Sequence, residues 1–524
     1  MNLKNTVLGI ELGSTRIKAV LLDDRHQPIA SGSHEWQSRF ADGIWYYTLE
    51  DVRHGLQACY AELAQSAREK LGQPLTTVGA IGISGMMHGY LPFDRNGEQL
   101  TEFRCWTNTI TREASEALTE LFHFNIPQRW SIAHLYQAML NGEAHIPRLA
   151  FMTTLAGYVH WQLTGEKVVG LGEASGMFPI DNTAGGYDAE MISRFDALIA
   201  ERGLDWRLRD VLPQIRPCGA FAGTLTPEGA RLLDPSGILE PGIPLVPPEG
   251  DASTGMIATN CVRVYTGNVS AGTSIYAMLL LDHRPGFNEN IAVLTTPNNL
   301  PAALIQCNNC TSDINAWTNL FSEVLALAGA EISKSELMTR LFQKSLEADL
   351  DCGGLLSYNY ITGESLTGLN EGRPMFARMP DSRFSLANFM RTLQSSALAT
   401  LKVGIDNLKR AEGFHIEKLY AYGGFFKTPE VGQRLLSAAM CVPVSVMHSA
   451  GEGGPYGMAV LAAYALWRRG DEKLEDYLDE RVFAGAQSAT LTASPEEIES
   501  FAEYVEHHRR AMPVEREAVK EMRW

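Results

Sequence analysis

At 524 residues the chain is too long for one hydrophobic core, and two domains are its natural organisation. Hydrophobic residues make up 45% and charged residues 20%, the balance of an ordinary globular protein. A formal net charge of −17 argues against a nucleic-acid binder, which needs a basic surface, but not against a nucleotide, which a few backbone N–H groups and one cation can hold.

The N-terminus, MNLKNTVLGIELGS, carries Glu11 and no extended apolar stretch, so it does not read as a secretory signal. With no run of about 18 apolar residues, no membrane span is expected and a cytoplasmic location follows. Residues 6–24, TVLGIELGSTRIKAVLLDD, read as strand, Gly-Ser-Thr turn, strand, and alternation over 26–46 suggests further strand. Helical spacing over 49–71 ends near Gly72. VGAIGIS at 78–84 is a buried strand leading into GMMHG, followed by helical patterns at 111–123, 131–140 and 148–163. Residues 166–250 are loop-rich, with short helices near 189–202 and 226–233. Prolines 241, 244, 247 and 248 punctuate the approach to Gly250-Asp251, and the domain boundary is placed near residue 256. Further helices are expected at 311–329, 333–347, 385–412, 429–440 and 453–468. A charged terminal helix should begin at Ser494, whose spacing to Glu497 suggests a capping box.

An internal repeat links the two halves. GSTRIKAVLLD (13–23) and GTSIYAMLLLD (272–282) share a Gly, two hydroxyl residues, an apolar strand and Leu-Leu-Asp at identical spacing. Two domains of similar topology are the expected consequence. The cysteines are scattered; Cys307 and Cys310 form a lone C-x-x-C with no second pair or His pair to complete a zinc tetrahedron. A disulfide framework is not expected in a chain this large.

Four stretches carry chemistry. Gly13, Ser14 and Thr15 between two strands make a phosphate grip if their N–H groups face an anion, and an ordinary hairpin turn if not. Arg16 and Lys18 add positive charge. Glu11 just before this turn would repel phosphate unless a cation such as Mg²⁺ intervenes. Met87 and His88, at the carboxyl end of a buried strand, suit an apolar wall and a sugar hydroxyl contact, or a His satisfied by backbone. Asp251 is either a turn residue or the base that takes a proton from an attacking hydroxyl, for which an ordinary carboxylate suffices in phosphoryl transfer. Gly423 and Gly424, in AYGGFFKTPE, admit a flat ligand or simply make a tight βα turn. The absence of GxxxxGK[ST] excludes a P-loop enzyme, and GxGxxG is absent too.

In this order, the motifs resemble those of the FGGY family of carbohydrate kinases, over about residues 6–465. GIELGSTRIKAVLLD is similar to the family's first phosphate motif. IGISGMMHGYLPFD, CWTNTIT, GYVHWQLTGE and ASGMFPID resemble stretches of its xylulokinase branch, EGDASTGMIATN the segment with the catalytic Asp, GNVSAGTS the second phosphate motif and AYGGFFKT the adenosine motif. The resemblance implies an α/β protein of two actin-like (ribonuclease-H-like) domains, with ATP and sugar meeting in a cleft. The expected division is 1–256, 257–470 and a helical extension 471–524. The implied reaction moves the γ-phosphate of MgATP to a terminal hydroxyl of a ketopentose, with D-xylulose the favoured acceptor, ahead of other ketoses or polyols or an Hsp70-like ATPase role. Asp251 is the implied base. Met87, His88, Asn108 and Asp251 are implied on the sugar, and Gly13, Ser14, Thr15, Lys18, Gly272, Thr273, Gly423 and Gly424 on the nucleotide. Glu11 and Asp251 are the implied metal carboxylates. Partners are expected to be the sugar, ATP and a second copy in a homodimer, with neither nucleic acid nor membrane. The chain departs from the family pattern at Glu11 (usually Asp), Met86 (Gln), Asn108 (Asp) and Gly157 (Asp).

Overall fold

The structure is a computed structural model and describes residues 1–447, 453–485 and 488–523. Contacts divide the chain into two compact units, one of Met1–Val262, Asp282–Ala302 and Ser449–Ala486, the other of Arg263–Leu281, Ala303–His448 and Gln487–Trp524. Neither unit is contiguous, whereas the sequence division runs in unbroken blocks.

The first unit is built on strands β1 (Val7–Leu12), β2 (Arg16–Leu22), β3 (Pro28–Glu35), β4 (Ala80–Gly85) and β5 (Glu249–Gly250), in the order β5-β4-β1-β2-β3. β1, β2 and β3 run antiparallel in succession, while β4 lies parallel to both β1 and β5. The central strands are buried along nearly their whole length, as strands covered on both faces must be. Helix α1 (Leu49–Leu71) packs on β2 and β3. Its Thr48 cap accepts the Asp51 N–H at 3.1 Å, and it stops at Gly72 with φ +69°. Leu8, Ile10 and Leu12 join α1 residues in one core cluster. Strand alternation then turns Gly9 and Glu11 to the opposite face. There the Gly453–Trp467 helix covers β1 and β4, so closely that a Cβ on Gly9 would lie 2.1 Å from the Pro455 carbonyl oxygen. Helix α2 (Asp251–Ala258) follows β5 and packs against the same helix.

The second unit repeats the scheme. β6 (Thr266–Ala271) and β7 (Ile275–Leu280) form the second hairpin, with β8 (Pro301–Cys307) beside β7. Helices α3 (Thr311–Leu327) and α4 (Leu386–Glu412) precede β9 (Lys418–Tyr422), which lies parallel to β6. Then come α5 (Val431–Met440), β10 (Val444–Met447) parallel to β9, β11 (Ser488–Leu491) antiparallel to β10, and α6 (Pro495–Glu521). The order β8-β7-β6-β9-β10 matches β3-β2-β1-β4-β5, so the sequence repeat marks a repeat of topology. α6 begins with a complete capping box: Glu497 N–H donates to Ser494 Oγ at 3.3 Å, and Ser494 N–H to Glu497 Oε2 at 2.8 Å.

One expected helix is wrong at its start. Residues 148–163 hold a strand, Phe151–Thr153, paired with Leu91–Phe93, before a helix over Leu155–Thr164. The Thr154 hydroxyl caps that helix by accepting the Gly157 N–H at 3.3 Å. Pairing with a distant strand overrides the local period here. Among the described residues, no helix is long and apolar enough to cross a membrane.

Candidate active site

Asp251 opens α2 rather than sitting in a free turn. Gly250 is the N-cap, so the carboxylate lies in the first turn, where the helix dipole favours negative charge. Its Oδ1 accepts the Ala252 N–H at 2.8 Å and, longer, the Met87 N–H at 3.4 Å. Burial opposes these bonds and pushes the carboxyl up to about 6. Two further carboxyls stand behind it. Glu249 is buried, accepts the Glu173 N–H at 2.9 Å, and is pushed by burial to about 8. Glu173 is fully buried, with the Thr154 hydroxyl as a weak hydrogen-bonding neighbour. Burial, joined by the charges of Glu249 and Asp251, holds it well above the ordinary range.

Glu11 sits near the end of β1, paired in register with Lys18 on β2 and Ser84 on β4. Burial first, then the Asp251 charge, raises it to about 7, against the pull of Lys18. A Cβ on Gly454 would lie 1.9 Å from Glu11 Oε1, so the longer side chain fills space that glycine leaves in the first turn of the facing helix. Two mutually repelling, desolvated carboxylates fit a Mg²⁺ ion that takes its other ligands from phosphate and water. Among the described residues, no group of three or more acidic, His or Cys side chains could hold a metal by itself.

The Gly13–Thr15 turn is held by its carbonyls. Trp36 Nε1 donates to Gly13 O at 2.7 Å, Tyr47 Oη to Ser14 O at 2.6 Å, and the Trp36 N–H to Thr15 O at 3.2 Å. Trp106 Nε1 donates to the Ser14 hydroxyl at 2.9 Å. The Ser14 and Thr15 N–H groups find no acceptor among the described residues, which leaves them for an anion. In the second unit, Gly272 O accepts the Thr311 N–H and hydroxyl, and Thr273 O the Cys310 N–H at 2.9 Å. The same division follows: carbonyls tied at the start of α3, the Thr273 N–H without an acceptor among the described residues. Gly423, at φ +102°, brings the Gly-Gly turn against this hairpin; a Cβ there would lie 2.4 Å from Ala271 O. Gly424 is exposed, with nothing within 4 Å of where its Cβ would be. The C-x-x-C pair has a structural place here: both thiols are buried and reduced, with Cys307 closing β8 and Cys310 capping α3.

Met87 and His88 lie together beside Gly176, with Met87 also against Gly250. The Met87 side chain covers Gly250, where a Cβ would lie 2.2 Å from Met87 Cγ, and reaches Gly176. His88 holds a left-handed backbone at φ +69° and stacks on Trp130. Its Nδ1 faces the Gly176 carbonyl at 3.0 Å, and its Nε2 accepts from Arg129 Nε at 3.2 Å. Burial lowers His88 to about 3, so the ring is neutral and both nitrogens are engaged. Asn108 is buried and tied to backbone: Oδ1 accepts the Trp45 N–H at 2.8 Å, and Nδ2 donates to Trp45 O at 2.7 Å and Cys105 O at 2.8 Å. Both amide protons are used, which explains the amide in place of an acid: a carboxylate would face two carbonyls with no proton to offer.

Models of the FGGY family of carbohydrate kinases match residues 6–258 with its N-terminal domain and 267–466 with its C-terminal domain. The chain belongs to the FGGY family of carbohydrate kinases. It is accordingly an ATP-dependent sugar kinase with the family's two-domain, actin-like α/β fold. It is 24% identical to a xylulose kinase of Haemophilus influenzae over 89% of this chain and 92% of that one. The xylulose kinase of Rhodospirillum rubrum superposes at TM-score 0.79, 18% identical, over 97% of this chain and 98% of that one. The gluconate kinase of Lactobacillus acidophilus does so at 0.79, 16% identical, over 97% and 98%. At such identities the structures establish the fold of this FGGY chain and leave its acceptor open.

Sequence reasoning missed Glu173, Glu249 and Arg129. Glu173 was visible as a lone charge in GEASG, and Glu249 as a second acid two residues before Asp251 in PPEGD. Arg129, in IPQRWS, gave no comparable signal, because its partner is 41 residues away.

Proposed function

We propose that the chain transfers the γ-phosphate of MgATP to the terminal hydroxyl of a linear sugar, with the C5 hydroxyl of the ketopentose D-xylulose the first neutral acceptor to test. The observation that carries this reading is Asp251. Its carboxylate is fixed by two backbone N–H groups at a helix start, beside the Met87–His88 turn and close enough to Glu11 for their charges to interact. Asp251 would take the acceptor's proton as the oxygen attacks phosphorus, a step that a loose transition state asks for only late. The open N–H groups of Ser14 and Thr15, with Lys18, would receive phosphate in one unit; the Gly272-Thr273 turn would do so in the other. Gly423-Gly424 would lie against the adenosine. Mg²⁺, held by Glu11 and Asp251 together with phosphate oxygens, would neutralise charge on the transferring group. Met87 supplies an apolar wall for the acceptor, and His88 and Asn108 brace the loops around it.

Asp251→Asn should fold normally and lower kcat for ketose phosphorylation by roughly 10²- to 10⁴-fold, the usual worth of a general base. A coupled ADP-release assay over D- and L-ketopentoses, hexuloses and polyols tests both base and acceptor. Near-normal turnover in the variant would sink the role of Asp251, and preference for another neutral ketose would replace D-xylulose.

A further inference from the structure

Arg129 stands out around the Met87–His88 turn. It is partly buried, and burial alone lowers it to about 10, with no acidic neighbour to offset the cost. No carboxylate lies within ion-pair distance among the described residues, and its two terminal nitrogens make no hydrogen bond there. Three other guanidiniums of the same unit have carboxylate partners: Arg104 with Glu143, Arg148 with Asp94, Arg284 with Asp188. A half-buried cation without an ion-pair partner is held at some cost, and such groups are ordinarily paired or meet a ligand.

The fold invests in holding this one. The Gly176 carbonyl can only accept, so His88 Nδ1 carries the proton and Nε2 offers its lone pair to the Arg129 ε N–H. The Arg129 carbonyl in turn accepts the Gly89 N–H at 3.2 Å. His88, in its left-handed conformation, therefore acts as a positioning residue. It fixes the guanidinium plane and leaves the two terminal nitrogens as a fork, the geometry that suits a carboxylate. On the adjoining residue, the buried Trp130 indole N–H also lacks an acceptor among the described residues.

We propose that Arg129, oriented by His88, binds a carboxylate on the acceptor, so that the preferred substrate is a sugar acid rather than a neutral ketose. This rests on the sugar-kinase reading above. It refines the acceptor: a linear polyhydroxy acid whose carboxylate meets Arg129 while a hydroxyl meets Asp251.

The test uses the full-length protein and two readouts. Phosphorylation is measured for five- and six-carbon aldonates and 2-ketoaldonates, for D-xylulose and matched polyols, and for a sugar phosphate. Binding of the same compounds without ATP is measured by calorimetry. The expected result is a kcat/KM at least about tenfold higher for an acid than for its neutral counterpart, with acid binding weakened on the order of 10²-fold in Arg129→Met. His88→Ala should erode the acid-over-neutral ratio through KM more than kcat. Neutral ketoses phosphorylated well, with no acid bound, would overturn the proposal and leave the kinase reading intact. Acids bound through Arg129 but never phosphorylated would do the reverse. Binding of the sugar phosphate in place of the acids would overturn the carboxylate assignment.

Discussion

Asp251 has its carboxyl raised to about 6 by burial, and as a base it works only when ionised. Protonation therefore removes activity from the acid side. We expect kcat/KM to fall about tenfold per pH unit below about pH 6, rather than below the ordinary Asp value near 4. A profile flat down to pH 4.5 would separate Asp251 from proton transfer. At the same scale, Asn108 shows how backbone groups can hold a buried amide. Its amide is spent on Trp45 and Cys105, so it secures the loop carrying Trp106, whose indole holds Ser14. The two bonds to Trp45, 63 residues earlier, could not be read from the sequence.

Between elements, the tightest fit is that of the Gly453–Trp467 helix on β1. Alternation turns Glu11 to that helix, and its carboxyl takes the space beside Gly454. A methyl group there has nowhere to go without displacing Glu11. Gly454→Ala should cost about 1–3 kcal/mol of stability, the usual penalty of overpacking. Shortening Glu11 to Asp in the same chain should recover much of that loss, as a thermal-unfolding double-mutant cycle would reveal. Additive losses would mean that the two residues do not share this space. The same contact gives a physical reason for glutamate where the family usually has aspartate: the added methylene carries the carboxyl toward the first turn of a helix.

Across the whole molecule, the carboxyls behind Asp251 tie stability to pH. Glu249 titrates near 8 in the folded chain against about 4.5 unfolded, so the folded state binds the extra proton between those values. Its contribution is fully present below about pH 4.5 and is lost as pH rises toward 8, and Glu173, also raised, acts in the same direction. Glu249→Gln should flatten this dependence, gaining melting temperature over the parent as pH goes from 5 to 8; parallel curves would place the proton elsewhere. The sequence by itself determined the strands and most helices, through apolar period, caps such as Thr48 and Ser494, and stops such as Gly72. It also determined the paired turns at Gly13 and Gly272, because a repeat of local pattern is visible without knowing what it touches. Only the tertiary structure decided that Asp251 begins a helix, that the Gly453–Trp467 helix returns to the first unit, and that His88 gives both ring nitrogens to holding Arg129. Each of these depends on groups far apart in the chain, and burial, which fixes their charge and cost, exists only once those groups have met.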